Sequence, residues 1–118
     1  MGALDGEYDG WALSCSAPSL VDLLPGAPAG TRVAAWVKPF AAYKANVPIA
    51  YTWEPVLFRR PLGRRDGDPV GRDHLAAPIT MRRGGWILTL LAWQPGDEVV
   101  DLFPGTGVVG RVAATRML

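Results

Sequence analysis

The sequence predicts an α/β chain in which a small sheet of about four strands is flanked by helices, at the low end of the usual sheet size. Three observations predict it. Trp93 to Gly110 reads as turn, strand, glycine loop and helix start, and Trp11 to Leu24 reads as a strand followed by a capped helix. Hydrophobic residues make up 49% of the 118 positions, enough to build a core and too many for a disordered chain. That length corresponds to a single domain spanning residues 1–118.

Taken in order, Asp9-Gly10 is a turn and Trp11-Ala-Leu-Ser-Cys-Ser16 is an apolar run of strand length. Ser16 is placed to cap a helix that Ala17-Pro18 opens and Pro25-Gly26 stops. Leu20, Leu23 and Leu24 fall at i, i+3 and i+4, so they share one face of it. Beyond the Pro/Gly-rich turn at 25–30, Thr31 to Val37 reads as a second strand ended by Lys38-Pro39, and Phe40 to Val47 as a loop over the sheet edge. Pro48 to Phe58 contains a third strand, and Pro55 within it argues against a central place or for a bulge.

From Arg59 to Pro78 the composition shifts to Arg, Asp, Gly and Pro, which makes a long polar loop of the kind that is usually functional or mobile. Ile79 to Arg83 reads as extended, and Trp86 to Trp93 as a short helix that is apolar on nearly all sides and therefore buried. Pro95-Gly96 then turns the chain into the strand Glu98-Val-Val-Asp-Leu-Phe103. Gly105 and Gly107 leave that strand without Cβ atoms, so the backbone turns tightly and a ligand can approach it. Val108 to Thr115 has helical composition, which would aim the N–H groups of a first turn back at the loop, as at the carboxyl end of a strand in α/β folds. The loop lacks the third glycine of a dinucleotide fingerprint and the Gly-Lys-Ser/Thr of a P-loop, so neither nicotinamide nor nucleoside triphosphate is indicated.

The stretch Gly96-Asp-x-Val-x-Asp-Leu-Phe-x-Gly-Thr-Gly107 resembles the S-adenosylmethionine-binding motif of amino-group DNA methyltransferases, the enzymes that methylate adenine N6 or cytosine N4. The resemblance implies that Asp101, Phe103, Pro104, Gly105, Thr106 and Gly107 hold the cofactor. It extends along the chain: Asp9-Gly-Trp-Ala-Leu-Ser-x-Ser, Val33-Ala-Ala-Trp-Val-Lys-Pro-Phe40 and Tyr51-Thr-Trp-Glu-Pro-Val-Leu-Phe58 are similar to strands that follow the catalytic motif in phage and actinobacterial-type members with permuted motif order. The implied fold is a reduced Rossmann-like methyltransferase sheet.

Three parts of that family's pattern are missing. The catalytic box, Asp/Asn/Ser-Pro-Pro-aromatic, accepts hydrogen bonds from the target amine and stacks on the flipped base, and it occurs nowhere in this sequence. The Lys-Pro segment expected before Trp86 is replaced by Arg82-Arg-Gly-Gly85, and the strand whose acid binds the ribose hydroxyls does not follow the glycine loop. In the methyltransferase sheet the catalytic-box strand lies between the cofactor-motif strand and the Trp11-type strand. Its removal either joins those two directly or leaves open edges, which favour a homodimer or a partner protein that completes the sheet.

Net charge is +1, which implies no polyanionic partner by itself, but its distribution is uneven. Residues 1–31 carry four acids and no Lys or Arg, whereas 59–83 carry seven arginines against three aspartates. Within the arginine-rich loop, 59–85, Arg59, Arg60, Arg64 and Arg65 are candidate phosphate contacts for DNA, or else a solvated loop face. No apolar run approaches the ~20 residues of a membrane span and no signal peptide opens the chain, so no membrane role and a cytoplasmic location are expected. One cysteine and one histidine make no metal-ligand cluster: Cys15 is expected as a small buried side chain and His74 as a surface loop residue. The five tryptophans read as core residues first and as interface anchors second.

Two functions follow as expectations. One is an S-adenosylmethionine-dependent DNA methyltransferase, active alone or once completed by another chain. The other is a methyltransferase-derived module without catalysis, a regulator, decoy or phage-type inhibitor that binds a partner. A fragment of a longer enzyme is a third reading.

Overall fold

The structure, a computed structural model, describes residues 2–42, 45–46, 48–77, 80–101 and 112–116. It is an α/β arrangement built on one mixed sheet. The elements are α1 (Gly2–Glu7), β1 (Gly10–Ser14), α2 (Ala17–Leu23) with a 3₁₀ turn at Leu24–Gly26, β2 (Arg32–Ala42), β3 (Tyr51–Arg59), β4 (His74–Ala76), α3 (Thr80–Leu90), β5 (Glu98–Asp101) and β6 (Val112–Arg116). The sheet order is β4-β2-β3-β1-β6-β5. The four strands expected from the sequence are present, and β4 and β6 join them. Only β2 and β4 pair in parallel; the other neighbours are antiparallel.

Side chains alternate across the sheet, and the two faces bury different clusters. Ala12, Ala34, Trp36, Val56 and Phe58 point to one face, where Trp86, Ile87, Leu90 and Leu91 of α3 and its C-terminal extension cover them. Trp11 and Leu57 point to the other, against Tyr8, Leu13, Leu20 and Leu23. The expected α2 is realised as read: Ser16 is extended, its Oγ accepts from the Ser19 N–H at 3.3 Å, and Pro18 lies in the first turn. Ser16 therefore satisfies one of the helix's orphan donors.

Pro55 sits in a central strand, against the sequence expectation, because its missing donor falls where no ladder partner is needed. Its carbonyl accepts from Cys15 N–H at 3.1 Å, on the side of β1. The absent N–H would point the same way, one residue past the Ser14–Val56 pair that ends the β1–β3 ladder.

Three local expectations are corrected. The first part of the expected loop at 40–47 continues β2 as far as Ala42, because pairing resumes at Ala42–Tyr51 after an irregularity beyond Val37. The stretch expected to be extended before the helix is its first turn, α3 beginning at Thr80. The expected helix at 108–115 is overturned where it is described: Val112–Arg116 is a strand that pairs with both β1 and β5. Five residues gain little from a helix nucleus, and the slot between two strands offers backbone partners on both sides.

Candidate functional site

The chemistry-bearing residues gather where the arginine-rich loop meets the C-terminal end of α3. A helix leaves its last carbonyls without intrahelical donors, and here each one is accounted for. Ile87 O accepts from Leu91 N at 3.0 Å, Leu88 O from Trp93 N at 3.0 Å and Thr89 O from Ala92 N at 3.1 Å. The last two bonds, with Ala92 at φ 55°, form a Schellman-type end on a residue other than glycine. Arginines supply the rest. Arg60 donates through Nη2 to Thr89 O at 2.7 Å and to Pro69 O at 2.8 Å, and through Nε to Leu90 O at 3.0 Å. Arg65 Nη2 reaches Ala92 O at 3.0 Å. Positive charge at this end also meets the negative pole of the helix dipole.

Arg65 is fixed in turn by Asp97 in a two-pronged ion pair, Nη1 to Oδ1 at 2.9 Å and Nη2 to Oδ2 at 2.6 Å. Asp97 closes the Gln94-Pro95-Gly96-Asp97 turn that leads into β5: its N–H bonds to Gln94 O at 3.0 Å, and Gly96 sits at φ 98°. Proline second and glycine third at positive φ are the signature of a type II turn. Gln94 Nε2 then donates to Asp68 Oδ1 at 2.8 Å, while Asp68 Oδ2 accepts from Arg65 N–H at 2.8 Å. Hydrogen bonds from Arg65 hold the Asp97 carboxyl below its ordinary range. The Arg65 backbone N–H, then Gln94, do the same for Asp68. The Arg65 guanidinium is pushed up by its bond to Asp97. The loop is also packed tightly: a Cβ on Gly71 would stand 2.5 Å from Thr89 Cγ2, so Gly71 is the close approach between loop and helix.

Of the four arginines expected to face nucleic acid, three are turned inward. Arg59 is 7% exposed and donates to Asp5, whose carboxyl is lowered first by the Trp11 indole N–H and then by Arg59. Arg60 and Arg65 hold the end of α3, and Arg64 alone of the four is exposed. The alternatives left open by the sequence thus resolve into a third role, a clamp on a helix end. Asp97, its anchor, carried no local signal, because the partners lie 32 residues apart.

Trp11, Trp36 and Trp86 are buried, and their indole N–H groups tie the core to its surroundings: Trp36 to Ala77 O and Trp86 to Arg72 O in the arginine-rich segment, Trp11 to Asp5 in α1, while Trp93 donates to Asp97 O within the turn before β5. Trp53 is 37% exposed beside its cross-strand neighbour Val37. Cys15 is half-buried just past β1, and burial, then Glu54, pushes its thiol up, so it stays protonated and a poor nucleophile. His74 is exposed as expected, though it opens edge strand β4 rather than lying in a loop.

Asp101, the acidic residue of the glycine-loop motif, is the last residue of β5. Phe103, Pro104, Gly105, Thr106 and Gly107 lie outside the described residues. The segment that follows them is β6, with Asp101 paired in register to Ala113. Strand β6 lies between β5 and β1, antiparallel to both, so β1 and β5 run in the same direction one strand apart. Among the described residues no group of His, Cys, Asp and Glu is arranged to hold a metal ion, and no helix is long and apolar enough to cross a membrane. No family model, curated protein or solved structure matches this chain.

Proposed function

We propose that the chain is a catalytically silent binding module derived from the amino-methyltransferase fold, its sheet a reduced Rossmann-like methyltransferase sheet. One observation supports this reading most. The position between the cofactor-motif strand and the Trp11 strand, which the catalytic-box strand takes in that family, is filled here by β6. Its sequence, Val-Ala-Ala-Thr-Arg, has no proline-shaped turn and no aromatic ring with which to grip a flipped base. The inward-turned arginines support binding other than to a DNA backbone, because a phosphate track needs several cations free at the surface.

S-adenosylmethionine is the ligand proposed for the glycine loop. The fit is partial: the described residues supply Asp101 at the strand end, and Val112–Arg116, expected within the helix that follows the loop, is a strand. The outer edges of β4 and β5 have no partner strand among the described residues, and these edges are where a second copy or another chain would add.

Calorimetric titration with S-adenosylmethionine, run beside Asp101→Ala, tests the reading together with incubation of the protein, labelled cofactor and duplex DNA. Saturable binding that the substitution weakens, with no label on DNA, is the expected result. Methyl transfer to DNA by the wild-type chain overturns it.

A further inference from the structure

We propose that the cavity against the C-terminal end of α3 binds a small oxyanion that carries an apolar group, with Arg60 and Arg64 as its cationic contacts. The cavity measures about 370 Å³, and its lining includes Arg60, Leu62, Arg64, Arg65, Asp68 and Val70. That size is within the range of small-molecule sites. The proposal does not depend on the glycine loop or on the methyltransferase reading.

The donors left over at the cavity define the ligand class. Arg65 is neutralised by its two-pronged pair with Asp97, while Asp68 is hydrogen-bonded by the neutral Gln94 amide and Arg65 backbone N–H and feels the charges of Arg65 and Arg60. Arg60 differs: Nε and Nη2 bond only to neutral carbonyls, and no described carboxylate lies within ion-pair distance. Asp68 offsets the Arg60 charge through space without an ion pair, so what Arg60 offers at the cavity wall is a directed guanidinium donor rather than an unbalanced charge. Its Nη1 has no hydrogen-bond partner among the described residues, while the other nitrogens lock the group in place, so little rotamer entropy is lost when a ligand binds. Arg64, exposed and without an ion pair among the described residues, adds a second cation at the rim.

The apolar part of the ligand follows from two other side chains. Leu62 is 83% and Val70 89% exposed, large aliphatic groups left in water beside the cationic wall. A guanidinium fork takes a carboxylate or a phosphate, and flanking aliphatic side chains gain from covering a hydrocarbon portion. A concave site with two available guanidinium groups suits one anionic head group rather than a row of phosphates.

NMR titration that follows arginine Nε–H and Leu/Val methyl signals, at constant ionic strength, distinguishes the two head groups with inorganic phosphate in one arm and hexanoate in the other. Saturable shifts at Arg60 and Arg64 are expected, with Leu62 and Val70 methyls moving in the hexanoate arm. Arg64→Gln should weaken binding about tenfold, the loss of one charge-assisted hydrogen bond. Leu62→Ser should weaken hexanoate about fivefold and leave phosphate unchanged. Both substitutions change exposed side chains and leave the core alone. Shifts that do not saturate, that spread equally to Arg32 and Arg72, or that survive Arg64→Gln mean an adventitious ion only and overturn the proposal. So does a short DNA duplex that shifts the same signals more strongly than either probe, with steep salt dependence.

Discussion

The arginine-rich loop and the glycine-loop stretch carry most of the polar chemistry in this chain, and they arrive at opposite roles. The loop, expected to be functional or mobile, is fastened by six hydrogen bonds from the Arg60 and Arg65 side chains: three to carbonyls at the end of α3, two to Asp97 and one to Pro69 O within the loop, with an ion-pair approach to Asp68 besides. The stretch around Asp101, expected to run strand, loop and helix, instead returns as β6 and fills the sheet. The difference shows that a residue's task is set by the nearest unsatisfied partner. Helix-end carbonyls drew the arginines inward, and two strand edges drew the C-terminal segment between them.

The largest expected effect breaks the sheet side of this comparison. Ala114→Pro places a residue without a donor in a strand that is paired on both flanks, to Trp11 and to Val100. A loss of roughly 2–4 kcal/mol in stability is expected. Hydrogen exchange should show the amides of β1 and β5 losing protection together, and unchanged protection in β1 would mean that β6 does not fill this slot.

The loop side is sharpened by acid. Asp97, Asp68 and Asp5 all have carboxyls held below their ordinary range in the folded chain. Their stabilisation is complete above the unfolded value near pH 4 and is lost as pH falls through the lower folded values. Thermal melting should therefore drop steeply below about pH 4. Asp97→Asn should lower the melting temperature at neutral pH and flatten the acid limb. An acid limb as steep as that of the parent would remove Asp97 from its place as the clamp's anchor.

The smallest effect tests the joint between the two regions. Ala92 ends α3 at φ 55°, a conformation that costs a residue with a Cβ about 1–2 kcal/mol. Ala92→Gly relieves that cost but adds chain entropy to the unfolded state, so a gain of up to about 1 kcal/mol in denaturant melts is expected. Destabilisation would show that the buried Ala92 methyl contributes more through packing than it costs in backbone strain.

Much of the fold was legible because its signals are local. Ser16 before Ala17-Pro18 marks a cap, Pro95-Gly96 marks a turn, and the runs at 11–16, 31–37 and 51–58 have the composition of buried strands. The candidate site was legible only in composition. Seven arginines at 59–83 announce charge, but nothing in their spacing says that Arg65 meets Asp97 or that Arg60 meets Thr89 and Leu90.

By itself, the sequence determined that this chain forms strands and helices around an apolar core, and where most of them begin, because capping, turn chemistry and hydrophobic patterning act over a few residues. Only the tertiary structure decided that Val112–Arg116 is a strand and that three of the four candidate arginines point inward. Both outcomes depend on backbone and carboxylate partners far away in the chain, and such partners become available only once the sheet and α3 are in place.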